Sequence, residues 1–128
     1  DDWWGIWNLH PWIVPVSGGA PRDLTPDLDR IAQDATIGDL HDVHGGGAPT
    51  WSRDGKTVFF TVSDQGSAHI FSVPAAGGDA RRVTKGALQV MSLARGRDAD
   101  EFTIIWNSFT NAGTIARIEG ATGAKTAR

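Results

Sequence analysis

"APTWSRDGKTVFFTVSDQGSAHIFSVPAAGG", residues 48–78, decides how this chain folds. In "KTVFFTV" the side chains of Val58, Phe60 and Val62 fall on one side of an extended backbone and those of Thr57, Phe59 and Thr61 on the other. So dense a run of β-branched and aromatic residues predicts a strand covered on both faces. Asp54-Gly55 ahead of it predicts a tight turn, because glycine accepts positive φ without steric penalty. After Val62, "SDQGSA" reads as a polar turn, "HIFSVP" as a second strand, "AAGGDA" as another turn and "RRVT" as the start of a shorter strand.

The closing Gly-Gly of this stretch occurs twice. "VPVSGGAPRDLT" (14–25) aligns with "VPAAGGDARRVT" (73–84), placing Gly18 and Gly19 on Gly77 and Gly78, Arg22 on Arg81 and Thr25 on Thr84, a spacing of 59 residues. A weaker third copy, "IARIEGATGAKTAR" (115–128), follows "IFSVPAAGGDARRV" at a spacing of 45, with Ile115 on Ile70, Ile118 on Val73 and Gly123 on Gly78. The later copy also repeats the order of elements: "EFTIIWNS" (101–108), a turn at "FTNAG", then "TIARIE" and "GATGAK". Four antiparallel strands in a unit of about 40 to 45 residues is the arithmetic of a propeller blade, whose one-sided units stack to bury a continuous core.

The fold expected is therefore all-β: a partial β-propeller of about two and a half four-stranded antiparallel blades. Its parts are a blade remnant over 1–30, a connection over 31–47, a blade over 48–90 and a partial blade over 91–128. Within the connecting region "DLDRIAQDA" suggests a short helix, and the chain is expected to stop at Arg128 where a fourth strand should begin. The smallest closed propeller needs about four blades, so the chain is expected to be a piece of a larger propeller protein. Its open strand edges predict self-association. Trp51 and Trp106 are expected in the core, and Trp3, Trp4, Trp7 and Trp12 in packing between blades, with a peptide or sugar platform as the other use of such rings.

Composition agrees with a soluble globular protein: 128 residues, 40% hydrophobic and 21% charged, with six Trp and sixteen Gly. A net charge of -3 offers no electrostatic footprint for a nucleic-acid backbone or an anionic membrane. The absence of cysteine excludes disulfides, thiolate catalysis and Cys-ligated zinc. No apolar run approaches the roughly 20 residues of a membrane helix, and "DDWWGIWNLHPW" has neither the basic start nor the small-residue cleavage site of a signal peptide.

Pro49, Trp51, Ser52, Asp54, Gly55 and Lys56 form the pattern Pro-x-Trp-Ser-x-Asp-Gly-Lys. It resembles the propeller repeat of TolB-like proteins and of prolyl oligopeptidase-family serine peptidases. "PWIVPVSGGAPRDLT" (11–25) is similar to a segment of the acylaminoacyl-peptidase-like members of that family; TolB-type repeats more often carry Asp where Pro15 and Pro74 stand. The resemblance covers nearly the whole chain, weakest at "SLARGRDADEF" (92–102). It implies a propeller packed over an α/β-hydrolase domain, admitting short or N-acylated peptides to a Ser-Asp-His triad, in a cytoplasmic enzyme. A TolB-like, protein-binding and periplasmic module is the alternative. The partners implied are the remaining blades, the hydrolase domain and short peptides; no cofactor is implied.

None of the catalytic residues is in this chain. A nucleophile elbow needs Gly-x-Ser-x-Gly, and none of Ser17, Ser52, Ser63, Ser67, Ser72, Ser92 and Ser108 has glycine two residues before and two after. "HGGG" (44–47) matches an oxyanion-hole motif, but it leads into a strand and reads as a loop. "GATGAKT" (120–126) departs from the phosphate-binding spacing at Glu119 and Ala124 and reads as a hairpin turn. Asp39, His41, Asp42 and His44 combine carboxylate and imidazole, ligands that suit zinc or harder metals. Their irregular spacing reads first as a solvated loop, next as a contact with the hydrolase domain or substrate path, and last as a metal site.

Overall fold

The structure, a computed structural model, describes residues 8–36, 47–97, 101–120 and 125–127. It is all-β. Its strands are β1 (Trp12–Ile13), β2 (Arg22–Asp23), β3 (Thr50–Trp51), β4 (Thr57–Asp64), β5 (Ser67–Pro74), β6 (Arg81–Arg82), β7 (Gln89–Arg95), β8 (Glu101–Ser108), β9 (Asn111–Glu119) and β10 (Lys125–Ala127). β1 and β2 pair alone, and the other eight form one sheet. That sheet divides into two antiparallel meanders, β3 to β6 and β7 to β10, joined by a single parallel bridge between Ala68 and Gln89.

Local chemistry explains the hairpins. Asp64 and Ser67 close β4 on β5 across a two-residue turn in which Gln65 and Gly66 both have positive φ. That turn matches the right-handed twist of the strands it joins. In "WSRDGK" the Ser52 hydroxyl donates to Asp54 Oδ1 at 2.7 Å and accepts the Thr57 N–H at 2.9 Å, while Gly55 N–H donates to the Ser52 carbonyl at 3.1 Å. The motif is thus a self-contained clasp that brings β3 back onto β4.

The sequence repeat is a repeat of strand register. Trp12 pairs with Asp23 and Ile13 with Arg22; 59 residues later Phe71 pairs with Arg82 and Ser72 with Arg81. Both connections carry a glycine pair at positive φ, Gly18-Gly19 and Gly77-Gly78, and in both a proline carbonyl accepts from the first glycine, Pro15 from Gly18 at 3.0 Å and Pro74 from Gly77 at 2.8 Å. The 45-residue spacing holds as well: Ala116 pairs with Ala127 and Arg117 with Thr126, as Phe71 and Ser72 pair with Arg82 and Arg81. β8 instead follows β4 at a spacing of 44, and the extra residue is taken up by an irregularity opposite Trp106–Ser108, where Gly113 has φ +144°.

Three layers stack in one direction. Ile13, Leu24, Leu28 and Ala32 lie against Val58, Phe60, Val62, Phe71 and Val73 of the first meander. The opposite face of that meander, Phe59 and Ile70, packs on Val90, Leu93, Phe102, Ile104, Ala116 and Ile118 of the second. Phe59 and Phe102 meet with ring centroids 4.5 Å apart. Five consecutive residues of β4, Val58 to Val62, are buried, as expected for a strand covered on both sides.

Three expectations change. Residues 27–35 form no helix, because their backbone groups bond elsewhere: Ala32 N–H donates to the Leu9 carbonyl at 2.8 Å, and the Ile31 carbonyl accepts from Ser63 N–H at 3.1 Å. So short a segment has little helical stability of its own to set against such contacts. Trp51 is 44% exposed and not in the core, since it lies on β3, the edge strand of the sheet; Trp106 is partly buried against the second core. The fourth strand of the later meander is present as β10, paired with β9.

Candidate functional site

One cavity lies where both long hairpins turn. It has a volume of about 260 Å³, and its walls include Thr36, Ser67, Leu88, Gln89, Asn107 and Phe109. Behind its rim is Asp34, only 8% exposed. Asp34 Oδ1 accepts the Thr36 N–H at 3.0 Å and the Thr36 hydroxyl, and Oδ2 accepts the Gln89 side-chain amide at 2.7 Å. The same amide touches Thr36 Oγ1. Ser63 completes the anchor, its hydroxyl donating to the Gln33 carbonyl at 2.8 Å and accepting from Ala35 N–H at 2.7 Å. Residues 31–36 are thereby strapped across the end of β4 and onto the first residue of β7.

Asp39, His41, Asp42 and His44 lie outside the described residues, as do Trp3, Trp4, Trp7 and all of "HGGG" except Gly47. The described chain leaves the cavity rim at Thr36 and resumes at Gly47, where an added Cβ would stand 3.5 Å from the Leu93 carbonyl oxygen. The cavity offers hydroxyls and amides, groups that hydrogen-bond a peptide-like molecule but neither attack it nor remove its protons at neutral pH. Asp34 and Gln89 escaped the sequence reading because they are 55 residues apart and share no motif. The only local sign is a glutamine at the start of β7, just ahead of Val90 and Met91.

The histidines within the described residues serve the fold. His10 Nδ1 lies 2.7 Å from Asp23 Oδ2, whose other oxygen accepts the Thr25 N–H at 2.8 Å. This resembles two-thirds of a catalytic triad. The other ring nitrogen, however, faces the Leu28 carbonyl at 3.2 Å, where a nucleophile would have to stand. His69, its counterpart 59 residues on, is buried beside the Thr84 hydroxyl at 3.1 Å. Ser52 and Ser63 are engaged in the clasp and the strap described above.

The clasp residues Asp54 and Gly55 are exposed. The Ser52 hydroxyl first, and then the Lys56 N–H at 3.0 Å, hold the Asp54 carboxyl below its ordinary value. A carboxylate tied to its own turn in this way is a structural device.

Among the described residues no group of three or more His, Asp or Glu is arranged to hold a metal, and no helix is long and apolar enough to cross a membrane. No family model matches the chain, and no curated protein matches it.

Proposed function

We propose that the chain is the non-catalytic propeller part of a prolyl oligopeptidase-family, acylaminoacyl-peptidase-like serine peptidase. The observation that carries this reading is the register repeat: one strand pair closed by one glycine turn recurs at spacings of 59 and 45 residues, in layers that all face the same way. Layers of that kind are how propeller blades stack, and the Trp51–Lys56 clasp carries the sequence pattern of the family's blades. In this reading the parent enzyme hydrolyses short or N-acylated peptides in the cytoplasm at a triad on a separate α/β-hydrolase domain. The propeller admits small substrates and excludes folded proteins. Asp39, His41, Asp42 and His44 supply the contact with that domain or with the substrate path.

The test is to translate the coding region in frame on both sides and to assay the full-length product on an N-acetylated dipeptide anilide. A downstream serine elbow followed by Asp and His in hydrolase order, with activity lost on changing that serine to alanine, supports the reading. A stop codon directly after Arg128 overturns it, and an upstream domain without any hydrolase domain points instead to a TolB-like binding module.

A further inference from the structure

The first meander shows one face to the layer before it and the other to the layer after. Val58, Phe60, Val62, Phe71 and Val73 look back; Phe59 and Ile70 look forward. The matched registers carry this sense to the ends of the stack. In the second meander, Phe102, Ile104, Ala116 and Ile118 look back onto the first, as their counterparts do. The forward face then holds Ile105 and Ile115, directly opposed across β8 and β9 and 42% and 58% exposed. Ile115 is the counterpart of Ile70, which is fully buried between the two meanders.

The other end of the stack shows the complementary half. Ile13 packs forward onto the first meander, so the alternation of an extended chain turns Trp12 and Val14 backward. They are the counterparts of Phe71 and Val73, and they are 57% and 60% exposed. The backward face of one unit already packs on the forward face of its neighbour inside the chain, where Ile70 and Phe59 meet Ala116 and Ile118. Apolar side chains of this size, left open at both ends, are unlike the scattered surface residues of a finished monomer.

We propose that the Trp12/Val14 face of one copy of this chain docks on the Ile105/Ile115 face of a second copy, head to tail. The contact continues the stacking found between the meanders and is a property of the 128-residue chain by itself, since in the peptidase reading the remaining blades cover the same two faces. It is heterologous, so the two partners use different surfaces and each copy keeps one face free for a further copy. The Glu101–Arg117 ion pair, at 3.4 Å, borders the forward face.

The test measures the mass of the 128-residue protein by light scattering over roughly a hundredfold range of concentration. The wild type should grow from one chain to two and more. Trp12→Arg and Ile115→Arg should each remain a single chain, and an equimolar mixture of the two should form a particle of one copy of each, because one intact head then meets one intact tail. Circular dichroism checks that each variant is folded, and Val14→Asp with Ile105→Asp serves as a second pair. A wild type that stays monomeric overturns the proposal. So does a folded variant that still self-associates, or a mixture that stays at single-chain mass.

Discussion

The two meanders follow one plan and differ in how much of each is covered. β4 is buried at five consecutive positions, whereas β8 alternates, with Phe102 and Ile104 buried and Thr103 and Ile105 exposed. Among the described residues the first meander has a layer on either side and the second has one only on the side of the first. Burial of a strand here is set by its place in the stack more than by its own composition.

The sharpest way to break this comparison is to hollow one strand in each meander. Phe60→Ala, in the core between the first layer and β4, should cost about 3–5 kcal/mol, read from urea unfolding. Ile115→Ala, on the open face of β9, should stay within about 0.5 kcal/mol. Equal losses would mean that the two meanders are covered alike.

A finer contrast lies in the matched histidine sites. In the later copy the Thr84 hydroxyl accepts the Ile70 N–H at 3.0 Å and meets His69 Nδ1. In the earlier copy Pro11 stands where Ile70 does and has no N–H to give. The buried Thr25 Oγ1 is left without a partner, and His10 turns to Asp23. Thr84→Val should therefore destabilise by about 1–3 kcal/mol, while Thr25→Val should be neutral or mildly stabilising, because only the first strips partners from buried groups. Thermal unfolding of the two variants decides it, and a larger loss at Thr25 would sink the account.

The smallest expected effect is that of pH on the clasp between β3 and β4. The Asp54 carboxyl is held below its ordinary value by Ser52 and Lys56. Its contribution is therefore present above that ordinary value and lost as pH falls through the lowered one. The difference in Tm between wild type and Asp54→Asn should be largest near neutrality and should close in strong acid. A difference that persists unchanged in acid would show that the carboxylate charge is not involved.

Much of the fold was legible because its signals are local. Alternation gave the strand spans, "EFTIIWNS" coinciding with β8, and the glycine pairs marked the turns that fix register. The candidate site was far less legible. Asp34, Thr36 and Gln89 converge from either side of a meander, and hydrogen bonding across more than fifty residues leaves no pattern in the chain. The four residues named from sequence, Asp39 to His44, fall outside the described residues.

The sequence by itself determined the repeat, the hairpins and the absence of a serine elbow, because turn chemistry and side-chain alternation act over a few residues. Only the tertiary structure decided which faces are covered. It left Trp51 on an open edge, made a strap of residues 31–36 where a helix was expected over 27–35, and exposed Trp12 and Ile115 at opposite ends of the stack. Burial belongs to the neighbour that arrives, and no strand encodes its neighbour alone.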